Sequence, residues 1–177
     1  NLNVNSAVSS STHLDNLNNV YVGSNSINIT GTLNTAVGQN SLLNNTSGIA
    51  NTSIGSVAML STTSGNYNSG VGNGALYNNT SGSSNSALGQ QSLFFNTTGS
   101  NNTSLGYLSL LNNKAKNGSV AVGYQAMYYA DDTTTSGSTY NTALGYQALM
   151  GSSTASNNTG VSNTAVGDKS LQLNTSG

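Results

Sequence analysis

The 177-residue chain has no cysteine, no proline and no tryptophan, and only 4% of its residues are charged. With one histidine, His13, and no cysteine it offers no zinc-ligand set, and neither a Ser-His-Asp nor a nucleotide-binding pattern occurs. Enzymatic activity is therefore not expected, and no cofactor is implied. Three lysines and no arginine leave no basic stripe to neutralise phosphates, which argues against nucleic acids and membrane surfaces as partners. No apolar run approaches the ~18 residues of a spanning helix, and the residues present hold no signal-peptide pattern. A chain only 34% apolar could be disordered, but disorder normally comes with high net charge, and here the formal net charge is -1.

What fills the chain is Asn, Ser, Thr and Gly, arranged in phase. The phrase Asn141-Thr142-Ala143-Leu144-Gly145-Tyr146-Gln147-Ala148-Leu149 returns in variants, with its glycine at Gly38, Gly55, Gly72, Gly89, Gly106 and Gly123, each 17 residues after the last. The step then becomes 22, at Gly145 and Gly167, and a degenerate copy ends at Gly23. A fixed period in this range predicts a solenoid, in which one repeat cannot bury its apolar side alone. With Asn34 as position 1, position 1 is Asn in every unit except at Ser119, and stacked amides can bond along the axis as a ladder. Position 3 is always small, position 4 always aliphatic and position 5 always Gly, which predicts a short strand ending at a tight corner. Position 4 is expected to pack between coils, so that Leu88→Asp would bury an unpaired charge. A second strand is expected at positions 8 to 10, with Leu or Met at position 9 and Leu, Tyr, Phe or Met at position 10 until Gln172. Neighbouring strand residues face opposite ways, so one of columns 9 and 10 fills the coil and the other must be covered from outside. An uncovered stripe of Leu, Tyr and Phe would be a large sticky patch, which argues for an oligomer.

Residues 1–18 show no period and read as a leader or N-terminal cap, in which His13 and Asp15 are solvated or capping groups. Residues 19–177 read as the solenoid, closed in each unit by polar turns such as Asn44-Asn45-Thr46-Ser47-Gly48. The Asn-x-Ser/Thr triplets in these turns follow from the repeat rather than marking glycosylation. Two turns are enlarged by five residues, at 130–136 and 151–159, and should protrude side by side. Asp131-Asp132 could suggest a calcium site, but Lys114 stands 17 residues before Asp131, so charge pairing between stacked turns is the simpler account. The uniform shaft offers no unique site, and the enlarged turns break that uniformity. If the segment carries a ligand contact, it is placed at Tyr128, Tyr129, Asp131, Asp132 and Tyr140, whose rings and acids suit a cell-surface glycan; the plainer reading is that Tyr128 belongs to the buried position 10 column and that the turns are tolerated insertions. No metal site is expected.

The phrases NTALGYQAL, NTAVGQNSLLNNTSG and NTSLGYLSLLNN resemble repeats of tail-fibre-like surface proteins, which often end in an endosialidase-type intramolecular chaperone. More loosely they are similar to the left-handed parallel β-roll of trimeric autotransporter adhesin heads, whose unit is usually shorter than 17. The resemblance covers about 19–177, and implies an extracellular homotrimeric fibre, on a virion or cell surface, that presents or extends a receptor-binding surface. No binding residue carries over from it, because the matching residues are structural. The expected fold is an all-β parallel β-solenoid or β-roll of about eight to nine coils, a rod about 40 Å long at ~4.8 Å per coil. The alternative is an ice-binding β-solenoid, suggested by the Thr46, Thr63, Thr80, Thr97 column at position 13 and weakened by its place in turns. The chain opens without Met and stops in a polar turn, as a segment of something longer would.

Overall fold

A computed structural model describes residues 12–14, 16–24, 30–129, 133–154 and 157–176. It is all-β, a parallel β-solenoid with coils of about 17 residues. Among the described residues there are twelve short strands: β1 Thr12–Leu14, β2 Val20–Val22, β3 Thr35–Val37, β4 Thr52–Ile54, β5 Ser69–Val71, β6 Ser86–Leu88, β7 Thr103–Leu105, β8 Lys116–Asn117, β9 Val120–Val122, β10 Gly137–Ser138, β11 Thr142–Leu144 and β12 Thr164–Val166. Strands β2 to β7, β9, β11 and β12 stack in order as one parallel sheet in strict register, Val71 beside Leu88 and Leu88 beside Leu105. The leader contributes β1, which pairs antiparallel with β2 and sets the backbone of His13 opposite Tyr21. Asp15 lies outside the described residues.

Each strand of the parallel sheet is three residues long because the glycine after it must leave the β region. At Gly55 φ is +134°, and a Cβ there would lie 2.5 Å from the Gly72 carbonyl oxygen of the next coil. Only glycine fits both demands. The interior is lined by the small residues of positions 3 and 8 and by column 9, where Leu42, Met59, Leu76, Leu93 and Leu110 are wholly buried.

Positions 8 to 10 form no strand, contrary to expectation. Residues at positions 7 and 9 are left-handed, as at Val57 (φ +50°), Met59 (+49°) and Leu76 (+53°), and so is position 17, as at Tyr67 (+57°). Such angles cost a non-glycine residue roughly 1–2 kcal/mol. Here the cost is offset by axial hydrogen bonds that only this conformation aims at the neighbouring coils: Val57 N donates to Gln39 O at 2.8 Å, and Met59 N to Ala75 O at 2.9 Å. Columns 9 and 10 still face opposite ways, with 9 inside and 10 outside, half-buried except at Leu111, which is buried.

Position 4 does not pack between coils. Leu88 is 52% exposed, and Ile54, Leu105 and Leu144 are likewise exposed on the outer face of the sheet. The alternation of the strand explains this: column 3 points in, so columns 2 and 4 point out. A charge at position 88 would therefore meet water rather than the interior.

The asparagine ladder is present. Asn51, Asn68, Asn85 and Asn102 each donate an Nδ2–H to the Oδ1 of the preceding Asn at 3.1–3.2 Å. The same Oδ1 accepts the backbone N–H of the residue one coil on, at 2.9–3.0 Å from Asn34 to Asn102. The second Nδ2–H goes to a turn carbonyl, as from Asn68 to Gly82 O at 2.9 Å. A second ladder runs at position 12 through Asn45, Asn79, Asn96 and Asn113, with Asn96 Nδ2 donating to Asn79 Oδ1 at 2.8 Å. Thr62 interrupts it, and its buried hydroxyl has no hydrogen-bond partner among the described residues.

Candidate functional site

The corner glycine turns the chain onto an outer face made by positions 6, 7 and 10. Side chains from these columns meet there: the Phe94 ring approaches the space over Gly74, and Gln172 Nε2 donates to Gln147 Oε1 at 3.0 Å. Column 6 is polar at first, Gln39, Ser56, Asn73 and Gln90, and then becomes Tyr107, Tyr124 and Tyr146. Because the coils are in register, these three rings stack along the axis, with centroids 5.5 Å apart from Tyr107 to Tyr124 and 5.1 Å from Tyr124 to Tyr146. The Lys169 ammonium caps the Tyr146 ring at 5.9 Å from its centroid, a cation–π contact. Beside the ladder runs a chain of amides, with Gln147 Nε2 donating to Gln125 Oε1 at 2.8 Å.

Columns 10 and 11 supply the rest of the aromatic surface. Tyr77 and Phe94 stack at 4.8 Å, Phe95 stands edge-on to Phe94 at 4.9 Å, and Tyr128 meets Tyr129 edge-on at 4.6 Å. Burial raises the pKa of Tyr128, and the neighbouring phenols of Tyr129, Tyr107 and Tyr124 raise it further. Tyr128 therefore belongs to the same surface as the column 6 ladder.

Of the residues expected to contact a ligand, the structure brings Tyr128 and Tyr129 together. Tyr140 sits elsewhere on the coil, at position 17 with φ +51°, its ring lying over Gly118. Asp131 and Asp132 lie outside the described residues, and with them the proposed pairing to Lys114. Both enlarged coils are five residues longer than 17, since Val120 pairs with Thr142 and Thr142 with Thr164. In the first of them Gly137 pairs with Lys116 at a separation of 21, so four of its extra residues precede Gly137 and one follows Ser138. Asn158 of the second turn donates to the Tyr129 carbonyl and, at 3.0 Å, to Ser152 O. Lys116 Nζ donates to Thr135 O of the first turn at 3.0 Å.

Behind these turns the interior opens into a cavity of about 30 Å³, with Lys116, Ser119, Tyr129, Thr139, Asn141 and Asn158 among its lining residues. It lies where Ser119 replaces the ladder asparagine and its hydroxyl turns to Thr139 Oγ1 at 2.5 Å. That volume suits about two waters, not a sugar.

Tyr107, Tyr124 and Tyr146 escaped the sequence reading, although the signal was there as Gly-Tyr in three successive copies. The threonine column at position 13 was legible, but its hydroxyls are engaged: Thr46, Thr63, Thr80 and Thr97 each donate to the carbonyl one coil on, at 2.9–3.2 Å. No family model, curated protein or solved structure matches the chain.

Proposed function

We propose that the chain is a structural and adhesive segment of an extracellular homotrimeric fibre, a tail fibre or surface adhesin that extends or presents a receptor-binding surface. The observation that supports this reading is the pair of apolar stripes running the length of the rod, column 4 on the sheet and column 10 beyond the corner. Each stripe repeats with the pitch of the coil, so a parallel copy of the same chain can match it residue for residue, which an unrelated partner cannot. Column 9 fills the interior, which leaves column 10, joined by column 4, for contacts between copies. Three copies and a left-handed coil are what the resemblance to adhesin heads suggests. Replacing Phe94 and Tyr128 by Ser should weaken association more than it lowers the melting temperature of the coil. Unchanged association measured by sedimentation would count against column 10 as the contact.

The receptor contact is proposed on the aromatic surface by the enlarged turns, where Tyr128 and Tyr129 stand beside Tyr107, Tyr124 and Tyr146. Partly exposed phenols offer edges and hydroxyls to a glycan. Trimming both turns to the 17-residue length should leave the rod folded and reduce binding to a glycan array. Binding equal to the parent would place the contact elsewhere.

Ice binding keeps a claim as the second reading, on different residues. The outer sheet face is in strict register, with Thr or Ser in column 2, as Thr35, Thr52, Ser69, Ser86 and Thr103, beside the aliphatic column 4. A thermal-hysteresis assay decides it, and the absence of any hysteresis removes this reading.

A further inference from the structure

We propose that the tyrosine ladder is an oxidative cross-linking site, at which Tyr124 couples to Tyr107 or Tyr146 and joins neighbouring coils through a dityrosine bond. Coupling of two phenoxyl radicals needs two rings to meet, and the solenoid already holds Tyr124 at 5.5 Å and 5.1 Å from its neighbours, one coil away on either side. Pre-arranged partners react without the entropy of encounter. The interplanar angles are 27° and 7°, so modest side-chain rotation brings ortho carbons of adjacent rings face to face. Access is also met, since Tyr107, Tyr124 and Tyr146 are 40%, 42% and 47% exposed. Tyr67 and Tyr140 are more exposed still, yet no ring stacks on either of them among the described residues.

The oxidant is of the haem-peroxidase class with hydrogen peroxide as terminal acceptor. It removes one electron and one proton from each of two phenols. The two radicals combine at ring carbons ortho to oxygen, and the two ortho hydrogens move to the oxygens as the rings become aromatic again. The pair has lost two hydrogen atoms, and the peroxide is reduced to two waters.

Position gives the bond a consequence. The ladder spans the coils where the period lengthens from 17 to 22 and where Ser119 breaks the buried asparagine ladder. A covalent link there joins coils across the point where the asparagine ladder is interrupted.

The test oxidises the whole chain with peroxidase and hydrogen peroxide, then cleaves with trypsin after Lys114, Lys116 and Lys169. Tyr107 falls in fragment 1–114, and Tyr124 and Tyr146 fall in 117–169. The expected products are fragment 1–114 joined to 117–169 and a 117–169 peptide lighter by two hydrogens, both fluorescing as dityrosine and mapping by fragmentation to Tyr124. Tyr124→Phe keeps the stacked ring and should abolish both products without changing the circular dichroism spectrum. Tyr67→Phe and Tyr140→Phe should leave their yield unchanged. Equal yield from Tyr124→Phe, products mapping to Tyr67 or Tyr140, or links found only between chains would overturn the proposal.

Discussion

At the scale of single residues the solenoid rests on buried amides whose every donor and acceptor is used. Asn68 donates to Asn51 Oδ1 and Gly82 O, and accepts the N–H and an Nδ2–H of Asn85. Asn68→Ala would leave both donors of Asn85 short of a partner inside the coil, at a cost of about 3 kcal/mol. A melting temperature equal to the parent would show that the ladder is incidental. Thr62 poses the opposite case, a buried hydroxyl without a partner among the described residues in a column held by asparagines on either side, at Asn45 and Asn79. Thr62→Asn should complete the second ladder between Asn45 and Asn79 and raise stability by about 1 kcal/mol in denaturant titrations. Tyr128 makes the fold sensitive to alkali. Its pKa is higher in the fold than the ordinary value of 10.0, because burial and the nearby phenols disfavour the phenolate. Its contribution is complete below the unfolded pKa and is lost as pH rises through the folded one. Stability should fall with pH in that window, and Tyr128→Phe should remove this component of the fall.

At the scale of the element, the first strand and its corner were legible and the second segment was not. The Asn, small residue, aliphatic, Gly phrase defines β3 to β7, β9, β11 and β12 as three-residue strands closed by a glycine. Positions 8 to 10 read as a strand because they are apolar, yet Met59 and Leu76 take left-handed angles with nothing in their side chains to announce it. Those angles are imposed by the hydrogen bonds of neighbouring coils, which belong to the stack and not to the segment. Column 4 misled for a related reason: aliphatic side chains usually mark an interior, and only the phase of the strand shows that column 3 takes that place. The glycines separate the two kinds of constraint. Gly72→Ala would set a Cβ 2.6 Å from the Gly89 carbonyl oxygen at φ +133°, and should cost about 3 kcal/mol. Gly70→Ala meets the Met59 side chain, 2.9 Å from its Cγ, and the Ala75 carbonyl oxygen at an ordinary 3.5 Å, in a column that elsewhere holds Ala and Ser. It should be close to neutral, and equal losses from the two variants would contradict this account of the corner.

At the scale of the whole molecule, the site was legible only in part. Tyr128 and Tyr129 were found because the enlarged turns draw attention to them, whereas the column 6 ladder emerges only when register sets Tyr107, Tyr124 and Tyr146 ring on ring. The rod as a whole shows two apolar stripes, and the proposed fibre exists to cover them. Leu88→Asp, on the sheet face, should change the melting of a single coil stack by no more than about 0.5 kcal/mol, since the carboxylate stays in water. It should nonetheless lower the association of copies that bury column 4. The most direct measurement is the mass of the chain in solution by sedimentation equilibrium at micromolar concentration. Three chain masses, falling toward one when Phe94 and Tyr128 are replaced by Ser, is the predicted result, and a single chain mass for the parent protein would contradict it.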